Sequence, residues 1–110
     1  MSESLLIFTN CPDEATADRI ARTLVEQRLA ACVNRLPPVQ STYRWQGAVE
    51  QAVETPLLIK STRERYPDLE AAIRNLHPYS APEIIAVPIT AGFGAYLRWI
   101  ESETQPPLIA

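Results

Sequence analysis

Apolar and polar residues follow two kinds of pattern along the first part of the chain. Residues 4–10 form a short apolar run between polar residues, which predicts a buried first strand. Asp13 then predicts the start of a helix, because its carboxylate can accept a hydrogen bond from the first helical turn. Apolar residues recur at helical spacing and form the predicted buried face of this helix: Ala17, Ile20, Ala21, Leu24 and Val25.

The next pattern predicts a long β-hairpin. A second strand over residues 29–46 is interrupted near its middle by two prolines, which indicate a bend in the strand pairing. Strict alternation after the prolines puts Tyr43 and Trp45 on one face of the strand. A turn at Gly47 leads into a return strand over residues 48–60. We expect a hairpin of this length to extend beyond the domain core.

A second helix and a further strand complete the pattern. Ser61 and Thr62 are expected to cap a helix that starts close to Tyr66 and ends at His77, because Pro78 prevents its continuation. The remaining elements are a strand over residues 84–90, a short helix from about Tyr96 and a small edge strand at Leu108 and Ile109.

The order of these elements predicts an α+β fold. It is the β-α-β-β-α-β order of the ferredoxin-like sandwich, here with a long β-hairpin and a short C-terminal helix, in one domain over residues 1–110. Right-handed crossovers put the first and third strands in the middle of the sheet and both main helices on one face. A closed homo-oligomer would cover the bare face and the open edges of the sheet.

Composition narrows the classes of function. Of the 110 residues, 46% are hydrophobic and 21% are charged, as in soluble globular domains. The net charge is −3 without a basic stripe, so we expect no nucleic-acid partner. The longest apolar run, residues 5–8, is too short for a membrane span, so no membrane association is expected. The first residues lack the positive charge of a signal peptide, and we expect a cytoplasmic protein.

Candidate chemistry concentrates at one predicted edge of the sheet. The first strand ends at Cys11 and the second helix ends at His77, and the topology brings both ends to the same edge. A thiolate and an imidazole there are suitable ligands for copper. From the residues alone, the simpler interpretation of His77 is a helix-terminal residue whose ring contacts the last carbonyl groups. Cys32 is predicted at the opposite edge, so we expect no disulfide between Cys11 and Cys32.

Seven segments in a fixed order carry a resemblance to a known family. They are AACVN at residues 30–34, STYRWQG at 41–47, LIK at 58–60, HPY at 77–79, PEIIA at 82–86, PI at 88–89 and YLRWI at 96–100. Together they resemble the CutA divalent-cation tolerance family over essentially the whole chain. The resemblance implies a ferredoxin-like subunit, a tight homotrimer similar to that of PII-type signalling proteins, and binding of copper or other divalent cations.

The resemblance also implies two sites. The metal site is expected at His77, with Cys11 or Glu83 completing it, in part from a neighbouring subunit. Metal-binding bacterial members carry cysteine and histidine where this chain has Thr9 and Leu76, so we expect modest copper affinity. Four residues are expected near clefts between subunits, where they could hold a small ligand: Trp45, Glu54, Lys60 and Tyr79.

Signals for catalysis are weak, and we expect the protein not to be an enzyme. The three glycines, Gly47, Gly92 and Gly94, do not match a phosphate-binding loop. The expected function is therefore divalent-cation binding and tolerance by a homotrimer, with copper as the metal. The alternative is a PII-like sensor that binds a small ligand in the subunit clefts. A small hydrolase ranks third, since residues 10–14 are too acidic for the phosphate-binding loop of an acylphosphatase.

Overall fold

The computed structural model describes residues 2–106, and the predicted edge strand at Leu108 and Ile109 lies outside this part of the chain. Five strands and three helices follow one another as β1 (Ser4–Cys11), α1 (Glu14–Glu26), β2 (Cys32–Arg35), β3 (Val39–Trp45), β4 (Ala48–Thr62), α2 (Tyr66–Leu76), β5 (Ile84–Pro88) and α3 (Gly94–Glu103). None of these three helices has the length and apolar content needed to cross a bilayer.

The sheet confirms the predicted α+β, ferredoxin-like arrangement. Its strand order is β2-β4-β1-β5, so the predicted first and third strands occupy the middle. The predicted second strand is divided into β2 and β3, because the two prolines between them cannot donate to a ladder. β2 pairs with the second half of β4 and β3 with its first half, and all pairings are antiparallel.

One face of the sheet carries the core. Alternate residues of β1 are buried, beginning with Leu5 and Ile7, and α1 and α2 pack over them. The predicted buried face of α1 is confirmed at Ala17, Ile20 and Leu24. The prediction for Val25 is wrong, because this residue is 44% exposed. Consecutive residues of an α-helix point about 100° apart around its axis, so the side chain of Val25 points away from the buried direction of Leu24.

The two main helices begin in different ways. Asp13 caps α1 as predicted, and its carboxylate accepts a hydrogen bond of 2.7 Å from the Thr16 backbone N–H. The predicted cap of α2 at Ser61 and Thr62 is wrong, because these residues continue β4 along β1 and the Ser61 hydroxyl donates to the Leu29 carbonyl. α2 starts at Tyr66 as expected, without a side-chain cap.

The hairpin of β3 and β4 extends beyond the sheet as predicted. Gln46 and Gly47 form its two-residue loop with φ of 49° and 84°, the positive values that a tight hairpin turn requires. The described chain measures 48 × 33 × 23 Å, with a radius of gyration of 14.7 Å. A compact chain of this length has a radius of about 13 Å, so the projecting hairpin makes the subunit elongated.

Candidate functional site

His77 follows the last residue of α2 and joins this helix to the end of β1. Its side chain is only 6% exposed. The ring Nε2 lies 2.7 Å from the Asn10 carbonyl oxygen, and Nδ1 accepts a hydrogen bond of 3.2 Å from the Tyr79 backbone N–H. A neutral ring with its proton on Nε2 satisfies both contacts. Both nitrogens are therefore engaged, and in one subunit neither offers a free lone pair to a metal.

Cys11 lies at the same end of β1, as the topology predicted, but it is fully buried. Burial above all, and then the negative charges of Asp13 and Glu54, raise the pKa of the Cys11 thiol to about 11. Copper and other soft metals bind the thiolate, so a metal at this position would have to reach the buried sulfur and displace its proton. Cys32 is partly buried at the other end of the sheet, and both cysteines are free.

Glu83 is exposed and accepts a hydrogen bond of 3.4 Å from the Asn10 side-chain amide. The three predicted metal ligands thus surround the end of β1. Among residues 2–106, however, no three His, Cys, Asp or Glu side chains converge well enough to hold a metal ion. A closed copper centre does not fit within one described subunit.

The two positions that depart from the metal-binding pattern face the core. Thr9 is fully buried in β1, and Leu76 packs against the hydrophobic cluster from the end of α2. A threonine hydroxyl and an aliphatic side chain are not copper ligands. Neither position can replace the missing soft donors.

A cleft of about 690 Å³ opens beside this edge, between the hairpin, the end of β1 and the segment after α2. This volume is in the range of small-molecule sites. Three of the four residues expected in a ligand cleft line it, namely Trp45, Glu54 and Tyr79. The complete lining is Asn10, Ser41, Thr42, Tyr43, Trp45, Glu50, Glu54, Tyr79, Ser80, Ala81 and Glu83.

Lys60, the fourth expected residue, does not line this cleft within one chain. It pairs with Leu6 near the start of β1, whereas Thr55, the neighbour of Glu54, pairs with Cys11 at the other end. The two pairs are five residue steps apart along the strand, or about 16 Å. The Lys60 ammonium donates a hydrogen bond to the Asn34 side-chain oxygen.

The register of the hairpin explains the remaining lining residues. Tyr43 pairs with Glu50, and Val39 pairs with Glu54, so these side chains share one face with Trp45. The sequence predicted that Tyr43 and Trp45 share this face, but the expected ligand cleft included only Trp45 of the two and did not include Glu50. A two-residue turn at Gln46 and Gly47 would have fixed the pairing of positions 43 and 50 from sequence.

Electrostatically, the cleft is acidic. Glu50, Glu54 and Glu83 line it, and none of the described lining residues is basic. Glu54 is only 8% exposed, and its carboxylate forms no ion pair within residues 2–106. Burial above all, and then the negative charge of Glu54 and a hydrogen bond between the two side chains, raise the pKa of the Tyr79 hydroxyl.

The family model described as CutA1 divalent ion tolerance protein matches residues 5–103, which is nearly the whole domain. The chain belongs to this family. The CutA of Thermus thermophilus is 47% identical over 104 residues, covering 94% of this chain and 99% of the relative, and is named a divalent-cation tolerance protein. Protein CutA of Homo sapiens is 42% identical over 98 residues, and the aligned segment spans only 55% of that longer relative.

Solved structures agree with the family assignment. The crystal structure of CutA1 from the psychrotrophic bacterium Shewanella sp. SIB1 is 48% identical in sequence and superposes with a TM-score of 0.91. The superposition covers 94% of this chain and 96% of that one. The described fold is therefore the fold of that CutA1 structure.

Proposed function

We propose that the chain acts as a homotrimer in divalent-cation tolerance, that copper is one of the cations it binds, and that it is not an enzyme. Membership of the CutA1 divalent ion tolerance family carries the proposal. The cytoplasm is the proposed compartment.

Exposed apolar residues support assembly. Ile85 and Val87 of the edge strand β5 are about half exposed, and Phe93, just before α3, is 78% exposed. Monomeric proteins seldom expose large apolar side chains so close together, and an open strand edge favours pairing with another chain. Three subunits that pair through the edges and the hairpin would bury these surfaces.

One subunit offers too few accessible donors for a metal ion, which supports metal binding that depends on assembly. His77, Cys11 and Glu83 lie at one end of β1, but the first is doubly hydrogen-bonded and the second is buried and protonated. Copper sites need deprotonated and accessible donors. Donors from more than one subunit would complete a copper site that one subunit lacks, and we expect its affinity to be modest.

Two solution measurements test the proposal. Light scattering of protein without a histidine tag should give three times the subunit mass of 12.3 kDa at micromolar concentration. Calorimetric titration with Cu²⁺ should show saturable binding at neutral pH, and His77→Ala should weaken it. A monomer or dimer would contradict the assembly, and unchanged binding by His77→Ala would remove His77 from the metal site.

A second function is favoured by a specific observation. The cleft beside the hairpin has the volume of a small-molecule site and combines aromatic rings with carboxylates. It supports a PII-like role in which the protein binds a small ligand and signals to a partner. Titration with small organic ligands, some positively and some negatively charged, distinguishes this role from metal tolerance alone. Only the PII-like role predicts that such a ligand binds in the cleft.

A further inference from the structure

We infer that Arg28 positions α3 for self-assembly: its side chain fixes the end of this helix, and the helix forms part of the surface on which a second copy of this chain docks. The inference rests on the homotrimer proposed above and names a residue on which that assembly depends. It involves neither the cleft beside the hairpin nor the predicted metal ligands.

Arg28 occupies a backbone position that glycine normally takes. It follows the end of α1, and its φ of 58° lies in the left-handed region. The Arg28 N–H donates to the Val25 carbonyl. The Leu29 N–H donates to the Leu24 carbonyl, and these two bonds together end the helix in a Schellman motif. Since a Cβ is strained at such a φ, an arginine here costs stability unless its side chain makes contacts that offset the strain.

The Arg28 guanidinium makes such contacts at the end of α3. Its Nε donates to the Gln105 carbonyl at 3.0 Å, and its Nη2 donates to the Ser102 carbonyl at 3.1 Å. The Arg28 carbonyl accepts a hydrogen bond of 3.4 Å from Nε of Arg65, the residue before α2. Arg28 therefore joins the ends of α1 and α3 to the start of α2.

α3 has little else to fix its C-terminal end. Its last turn carries Glu101 and Glu103 and no basic residue, although the carbonyl end of a helix favours positive charge. Ile100 is the one residue of α3 that is fully buried. Arg28 thus supplies from α1 the cation that α3 itself lacks.

α3 covers only part of the sheet face opposite α1 and α2. Strand pairing puts four residues in one row across that face, namely Val87, Leu6, Lys60 and Cys32. Burial first, and then the neighbouring Cys32, raise the pKa of Tyr96, so α3 lies over the Cys32 end of the row. Val87, at the other end, remains exposed.

The uncovered half of this face and α3 present large apolar side chains on the same side of the sheet. Trp99 stacks on Tyr96 with ring centroids 5.5 Å apart, and both remain exposed, as do Phe93, Ile85 and Val87. Exposed apolar patches mark interaction sites, and aromatic residues are enriched in interface cores. The patch continues into the open edge of β5, through which the proposed trimer pairs, so the partner is a second copy of this chain.

Light scattering and hydrogen exchange of Arg28→Gly test the inference. Glycine adopts a φ of 58° without strain, so the variant loses the two side-chain bonds and keeps the turn. We expect its assembly to dissociate at a concentration at least about tenfold higher than that of the parent. In the assembled protein, the amides of α3 should exchange at least about tenfold faster, while those of β1 exchange as in the parent. Arg28→Lys can still donate to one carbonyl and should lie between the two.

Two further variants separate the effect of α3 from that of charge. Arg22→Ala is the matched control, because it removes the same charge from an exposed position on α1 and should leave both measurements unchanged. Trp99→Ala should weaken assembly as well. Adding Arg28→Gly to Trp99→Ala should then weaken it less than additively, because both changes act through α3.

The inference is overturned if Arg28→Gly assembles as the parent does, or if its α3 amides stay equally protected. Equal weakening by Arg22→Ala would also overturn it, because the effect is then one of net charge. Full additivity with Trp99→Ala would show that Arg28 acts independently of the aromatic surface. A monomeric parent would refute the proposed trimer and the docking surface together, whereas a trimeric parent with an unaffected Arg28→Gly refutes only the role of Arg28.

Discussion

Replacement of His77 by alanine tests whether the contacts of this residue at the edge of the cleft stabilise the fold. The change removes the bond to the Asn10 carbonyl and the bond from the Tyr79 N–H, and leaves both backbone groups without these partners. It also removes the ring that packs against Tyr79, whose centroid lies 4.7 Å from that of His77. Each lost hydrogen bond costs about 1 kcal/mol, and the lost packing costs a similar amount or more. We therefore expect the free energy of unfolding to fall by about 2–4 kcal/mol.

The assay is unfolding in guanidinium chloride followed by circular dichroism, with a chelator present so that metal binding does not contribute. All variants are compared at one protein concentration, because the stability of an oligomer depends on it. Asn75→Ala is the control: Asn75 is exposed near the end of α2, and its side chain makes no hydrogen bond within residues 2–106. It should change stability by less than about 0.5 kcal/mol. If His77→Ala is as harmless as this control, the structural role of His77 is wrong.

Three further predictions concern the thiols and the hairpin. Mass spectrometry of the native protein should show no bond between Cys11 and Cys32, since their β4 partners, Thr55 and Lys60, lie about 16 Å apart along the strand. The pKa of Cys11 rises from 9.0 unfolded to about 11 folded, so its contribution to stability is complete below pH 9 and is lost as the pH rises through 11. Alkaline titration of the unfolding free energy should show a larger loss in the parent than in Cys11→Ala, where only the tyrosines with raised pKa values still contribute. Gly47→Ala should lower stability by about 1 kcal/mol, because alanine is strained at a φ of 84°; equal stability in thermal melts would contradict this.

Local rules predicted most of the fold. The Asp13 cap, the alternation of the hairpin strands and the turn at Gly47 each depend on residues a few positions apart, and all agree with the structure. The cap assigned to Ser61 and Thr62 failed because strand pairing with β1, about 60 residues away, extends β4 through both residues. Sequence spacing alone cannot show where a long-range ladder ends.

The candidate site was predictable only to the level of topology. Element order correctly brought Cys11 and His77 to one edge of the sheet. It could not show that the His77 ring binds backbone groups, because those bonds depend on atomic positions across 67 residues of sequence. Lys60 was included because its segment resembles the family's, but within one chain it lies six positions from Glu54 along β4, or about 20 Å from that cleft residue.

Native mass spectrometry of the tag-free protein with limiting Cu²⁺ tests the central proposal most directly, because it reports assembly and metal content together. Copper should appear on a species of three times the 12.3 kDa subunit mass, and a monomer released at low concentration should carry none. Such a result would show that the metal site needs more than one subunit. A monomer that carries copper as readily as the assembly, or a trimer that carries none, would contradict the account.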